Sequence, residues 1–171
     1  MKKFFLTVVA LMGATSLFAQ MDVVATFQQA TANAKAANYT EAIAQFQSII
    51  DASWDIEEPD ANQQKAFAGS KKFIVTCYNK MGIAAYNAKN YEEAIANFSE
   101  AANLAELFED VAAMNKNRAY VGQMYQAQGA DAFNSEDYAT AIAVFSKGYE
   151  ADPRNTEIGR ASCRERVCRM V

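Results

Sequence analysis

Apolar and polar residues along this chain recur with the period of an α-helix, and one phrase of that pattern is written three times. Residues 90–98 read NYEEAIANF, residues 38–46 read NYTEAIAQF, and residues 137–145 read DYATAIAVF. In the middle copy Tyr91, Ala94, Ile95 and Phe98 stand at i, i+3, i+4 and i+7. That spacing is one face of a helix. Alanine at the centre of the face lets a neighbouring helix come close, while Tyr and Phe fill the space above and below. Asn38, Asn90 and Asp137 precede the three helices. All three are residue types whose side-chain oxygen caps a helix N-terminus.

A second helical face lies upstream, through Tyr78, Met81, Gly82 and Ala85. A shift of 47 residues overlays Tyr78 on Tyr125, Gly82 on Gly129 and Asn87 on Asn134, then carries Tyr91 to Tyr138 and Phe98 to Phe145. A shift of 52 relates the first copy to the second through Tyr39, Ala42, Ile43 and Phe46, with a weaker match upstream. Glycine inside a helix costs roughly 1 kcal/mol against alanine. Gly82 and Gly129 are therefore expected where two helices approach closely. Each unit is predicted to be a helical hairpin with a long first helix and a short second one, in an all-α chain.

These residues resemble the tetratricopeptide repeat. The second copy supplies Tyr78, Met81, Gly82, Tyr91, Ala94, Phe98 and Ala101 to that family's pattern, and the third supplies Tyr125, Gly129, Tyr138, Ala141, Phe145 and Pro153. The first keeps Tyr39, Ala42 and Phe46. The resemblance implies a helical-hairpin solenoid of about three repeats over residues 20–156. The spacings of 47 and 52 exceed the family's usual period of about 34. The additional residues, in ANQQKAFAGSKKFIVTCY and DVAAMNKNRAYVGQMY, read as helix and predict lengthened first helices.

In that family the first helices line an inner surface that holds a peptide or a partner's helix. The positions carried over are Thr76, Asn79, Ile83, Tyr86 and Asn87 in the second copy, and Gln123, Gln126, Ala130, Phe133 and Asn134 in the third. The set is neutral, amide-rich and aromatic. Its amides suit an extended peptide backbone, and Tyr86 and Phe133 suit stacking. A plain solvated surface accounts for the same residues. No lysine falls on these positions, so the branch of the family that grips a terminal carboxylate is not expected.

Composition narrows the class. Of 171 residues 51% are apolar, with two prolines and seven glycines, which fits one helical domain with a real core. Lys2 and Lys3 precede an apolar run from Phe4 to Leu17, and Ala19 offers a small residue before Gln20. This predicts a signal peptide over 1–19 and a periplasmic or secreted mature chain. The run is shorter than the roughly 20 apolar residues a membrane span needs. Residues 157–171 break with the rest, holding four of six arginines and two of three cysteines. The stretch EIGRASCRERVCR resembles the conceptual translation of a short-read sequencing adapter. Residues 157–171 are therefore expected to be a non-native tail, and the natural repeat domain to continue past residue 156.

Without leader and tail, ten basic and eighteen acidic residues remain, a net charge near −8 rather than −4. Such a chain repels phosphate, which argues against nucleic acid and anionic lipid as partners. There is no histidine, no Gly-rich phosphate loop and no cysteine pair with metal spacing before residue 157. Neither an enzyme, a cofactor nor a metal is expected. Cys77, among Ile74, Val75 and Tyr78, reads as a small core residue. Trp54 stands in the acidic stretch SWDIEEPD, expected as a loop between the first two hairpins. There it is a surface anchor or a cover for the loop, and the acids match no calcium-loop spacing. The leading expectation is an exported scaffold that binds a protein or peptide. The alternatives are a self-associating structural protein and the targeting arm of an enzyme.

Overall fold

The computed structural model describes residues 21–151. The expected leader at 1–19 and tail at 157–171 lie outside the described residues. The helices are α1 (Val23–Lys35), α2 (Tyr39–Ala52), α3 (Ala61–Asn87), α4 (Tyr91–Leu107), α5 (Val111–Asn134) and α6 (Tyr138–Ala151), and no strand occurs among the described residues. Each helix packs on the next in chain order, and α1 also touches α3. The fold is all-α, and its packing is compatible with a helical repeat. The expected lengthening is found in α3, with 27 residues, and in α5, with 24, whereas α1 has 13.

Four of the five connections are one device used repeatedly. After α1, α3, α4 and α5 the chain takes a single left-handed residue, namely Ala37, Lys89, Glu109 and Glu136, with φ of 64°, 58°, 60° and 62°. At each, the next N–H reaches back five residues along the helix, as in Asn38 N to Asn33 O at 2.9 Å and Asp110 N to Ala105 O at 2.8 Å. This is the Schellman closure, which satisfies the last carbonyls of a helix. The residue that closes one helix also begins the next, so the turn is only three residues long.

Asn90 and Asp137 cap as expected, accepting from Glu93 N at 3.3 Å and Thr140 N at 3.1 Å. Asn38 holds the same place but its side chain makes no capping bond. The exception among the connections is residues 53–60, a longer acidic loop that ends in a capping box of Asp60 with Gln63.

The repeated face is the core. Ala42, Ala94 and Ala141 are fully buried, and Phe46, Phe98 and Phe145 lie beside them at 4% exposure or less. Each such Phe contributes roughly 1.5–3 kcal/mol by burial. The two glycines make the expected close contact. A Cβ on Gly82 would stand 2.9 Å from Phe98 Cε1, and one on Gly129 would stand 2.6 Å from Phe145 Cε1. The ring of the second helix thus lies directly against the backbone of the first. In the first hairpin the place of Gly82 falls to Ala30, also fully buried.

Candidate functional site

The two long helices α3 and α5 both pack on α4 and touch each other only sparsely. Between them opens a groove of about 570 Å³, with Ala105 and Phe108 at the end of α4 as its third wall. Helix α3 supplies two adjacent ridges, Ala68–Lys72–Thr76–Lys80 and Lys71–Val75–Asn79–Ile83. The members of each are four residues apart and so share a face. Helix α5 supplies Ala113, Lys116, Asn117 and Tyr120, with Asp110 at its N-terminus. The volume is that of a ligand cleft.

Thr76, Asn79 and Ile83 lie in this groove, as three of the carried-over positions. The Thr76 hydroxyl donates to Lys72 O at 2.9 Å, and Asn79 Nδ2 donates to Val75 O at 2.9 Å. The Thr76 donor is therefore used within the helix and its oxygen can accept from a ligand, while Asn79 keeps its oxygen and a second N–H. Ile83 is 43% exposed and gives an apolar contact. Asn117 is 1% exposed; its Nδ2 donates to Ala113 O at 2.8 Å and its Oδ1 has no partner.

The other positions stand elsewhere. Tyr86 packs on Tyr91 with ring centroids 6.1 Å apart, and Phe133 packs on Tyr138 at 5.4 Å. The two pairs are equivalent under the shift of 47 and brace successive hairpin turns. Asn87, Gln123, Ala130 and Asn134 are exposed, and Gln126 is half-buried. By the same shift Gln123, Gln126 and Ala130 match Thr76, Asn79 and Ile83. The α3 set faces α5; no further first helix stands opposite the α5 set among the described residues.

No lysine falls on the carried-over positions themselves, but the groove brings lysines in beside them. Lys71, Lys72, Lys80 and Lys116 all line the groove, against one acid, Asp110. The carboxylate of Asp110 is engaged in accepting from Ala113 N at 2.9 Å. The reason is the ridge geometry. Lys72 and Lys80 flank Thr76 at four residues on either side, and Lys71 begins the ridge of Asn79. Extending each position by four residues would have found Lys72 and Lys80, and by eight residues Lys71 as well. Lys116 belongs to the first half of α5, which packing alone sets opposite the second half of α3. Lys71 Nζ lies 5.6 Å from the Phe108 ring centroid and Lys116 Nζ 5.7 Å from that of Tyr120. Both aromatic faces steady a cation at the groove wall.

Beyond the far end of the groove a polar clamp joins the α3–α4 turn and α4 to α5. The Tyr91 hydroxyl donates to Asp131 Oδ2 at 2.7 Å, and Lys89 Nζ lies 3.4 Å from the same oxygen. The hydrogen bond from Tyr91, with help from Lys89, holds the Asp131 carboxyl below its ordinary range; the same bond is the main cause that pushes Tyr91 up to about 12. Cys77 is buried in the core as expected, and burial pushes its thiol up to about 11. It is protonated at neutral pH and shielded, so it is a poor nucleophile.

Among the described residues no group of three or more His, Cys, Asp or Glu side chains is placed to hold a metal ion. None of the described helices is long and apolar enough to cross a membrane. No protein-family model matches the chain, and no curated protein matches it.

Proposed function

We propose that this is an exported helical-repeat scaffold of the tetratricopeptide type, which binds a protein or peptide partner in the groove between α3 and α5. One observation carries the reading: a cleft of about 570 Å³ whose walls combine apolar contact, acceptor oxygens and cations. That mixture suits an extended polypeptide, which presents N–H donors, side chains and charge together. The basic start and apolar run at residues 2–17 support export, and the repeated Tyr-Ala-Phe faces support the repeat type. The same groove is what a scaffold in envelope assembly would use to hold a component in place.

Photo-crosslinking locates the contact. A crosslinker at Thr76, in the groove, is expected to form a protein adduct in the compartment where the chain resides. One at Glu93, on the exposed side of α4, is expected to form none. Equal adducts from both positions, or none from Thr76, would overturn the assignment of the groove.

A further inference from the structure

We propose that the groove of one copy takes the acidic loop at residues 53–60 of a second copy, so that the chain assembles head to tail. This deepens the reading of the groove as a protein-binding site and rests on it. The loop reads SWDIEEPD, and Trp54 within it is 84% exposed, more than any other large apolar side chain described. An indole held in water at a loop tip is the side chain most often found anchoring an interface.

The loop around it is held in shape. Trp54 N and Asp55 N donate to Asp51 O and Ala52 O, each at 3.2 Å, Ile56 packs on the core, and Asp60 caps α3. Trp54 and the acids Asp55, Glu57 and Glu58 are thereby presented without a large ordering cost on binding.

The groove is the complement of this loop. Of the ten basic residues between 20 and 156, four line it. None of those four lysines, and none of the acids Asp55, Glu57 and Glu58, is in an ion pair among the described residues. Beside the cations Val75, Ile83 and Phe108 offer an apolar wall for the indole. Within one copy no hydrogen bond or ion pair joins the two surfaces. Lys71 stands about 15 Å along α3 from Ala61, where the loop ends. The match is therefore made between copies. Because loop and groove are different surfaces, the contact is heterologous, and each added copy leaves one of each free.

Trp54 is the only tryptophan, so intrinsic fluorescence reports on the loop alone. In the purified chain, a blue shift of its emission and a rise in average mass are expected together as concentration increases. Both are expected to recede in high salt, which screens the lysine–carboxylate attraction. Lys71→Glu with Lys116→Glu removes the groove's charge and keeps the loop. Trp54→Ala removes the anchor and keeps the groove. All three positions are exposed, so both variants are expected to fold, and circular dichroism checks this. Each alone is expected to need at least about tenfold more protein to associate.

Mixed together, they should form a dimer and stop there, because only one intact loop and one intact groove remain to meet. A chain that stays monomeric with an unshifted emission, or folded variants that form no dimer on mixing, would sink the proposal. If Thr76 then crosslinks to a foreign protein while Trp54 stays in water, the groove still binds a partner and only the self-docking falls.

Discussion

At the junction of α1 with α3, Phe27 lies so close to α3 that a Cβ on Gly69 would stand 2.6 Å from its Cζ. Around it Phe46 and Phe73 stack with centroids 5.6 Å apart, and Phe27 lies 6.0 Å from one ring and 5.9 Å from the other. Carried along the chain by the repeat shifts, Phe27 becomes Asn79, Gly69 becomes Lys116 and Phe73 becomes Tyr120. Those three residues line the groove between α3 and α5. A large ring over a glycine has been replaced by a short amide facing a lysine, so the second junction does not fill. It is spanned beyond its far end by the Tyr91–Asp131–Lys89 clamp instead. Equivalent junctions thus differ in filling because a ring over a glycine at one is an amide and a lysine at the other.

Emptying the closed junction is expected to have the largest effect. Phe46→Ala removes a fully buried ring from the three-ring cluster, and chemical denaturation should show a loss of about 3–5 kcal/mol. A loss below about 1 kcal/mol would mean that the rings are not what closes it.

Copying the closed junction onto the open one sharpens the contrast. Asn79→Phe with Lys116→Gly recreates the ring-over-glycine pair. Burying the ring contributes up to roughly 1.5–3 kcal/mol, against roughly 1 kcal/mol for glycine in a helix. Stability is expected to hold or rise while crosslinking from Thr76 disappears. Undiminished crosslinking in a folded variant would break the comparison.

A smaller effect tests a position both junctions share. Ser70 and Asn117 are equivalent under the shift of 47, both are buried, and both leave an oxygen without a partner. Ser70→Ala removes such an orphan, and thermal unfolding should show a gain of about 1 kcal/mol.

The smallest effect belongs to the clamp. The folded-state value of Asp131 lies below its ordinary 3.8. Its contribution is therefore present above that ordinary value and is lost as pH falls through the folded one. Between about pH 5 and about pH 3, the parent is expected to lose slightly more stability than Asp131→Asn. Parallel curves would show that the clamp adds nothing to the folded state.

The helical periodicity of Tyr91, Ala94 and Phe98 was enough to place the hairpins, and the shift of 47 was enough to match Gly82 with Gly129 and foresee their close contacts. The short α1 was less legible, because its upstream half departs from the other two. Thr76, Asn79 and Ile83 were found on the groove wall, but their lysine neighbours were not. A family position names one residue, whereas a helical ridge extends it four residues each way. Gly69 gave no signal at all. Its role depends on Phe27, which lies in a different hairpin.

The chain's own sequence determined the helices, their order and the caps at Asn90 and Asp137. These rest on interactions within a few residues, which local pattern reports directly. Which interface would close and which would stay open was decided only in the tertiary structure. That outcome depends on the summed volume and charge of side chains such as Asn79 and Lys116, far apart in the chain and brought together when α3 and α5 both pack on α4.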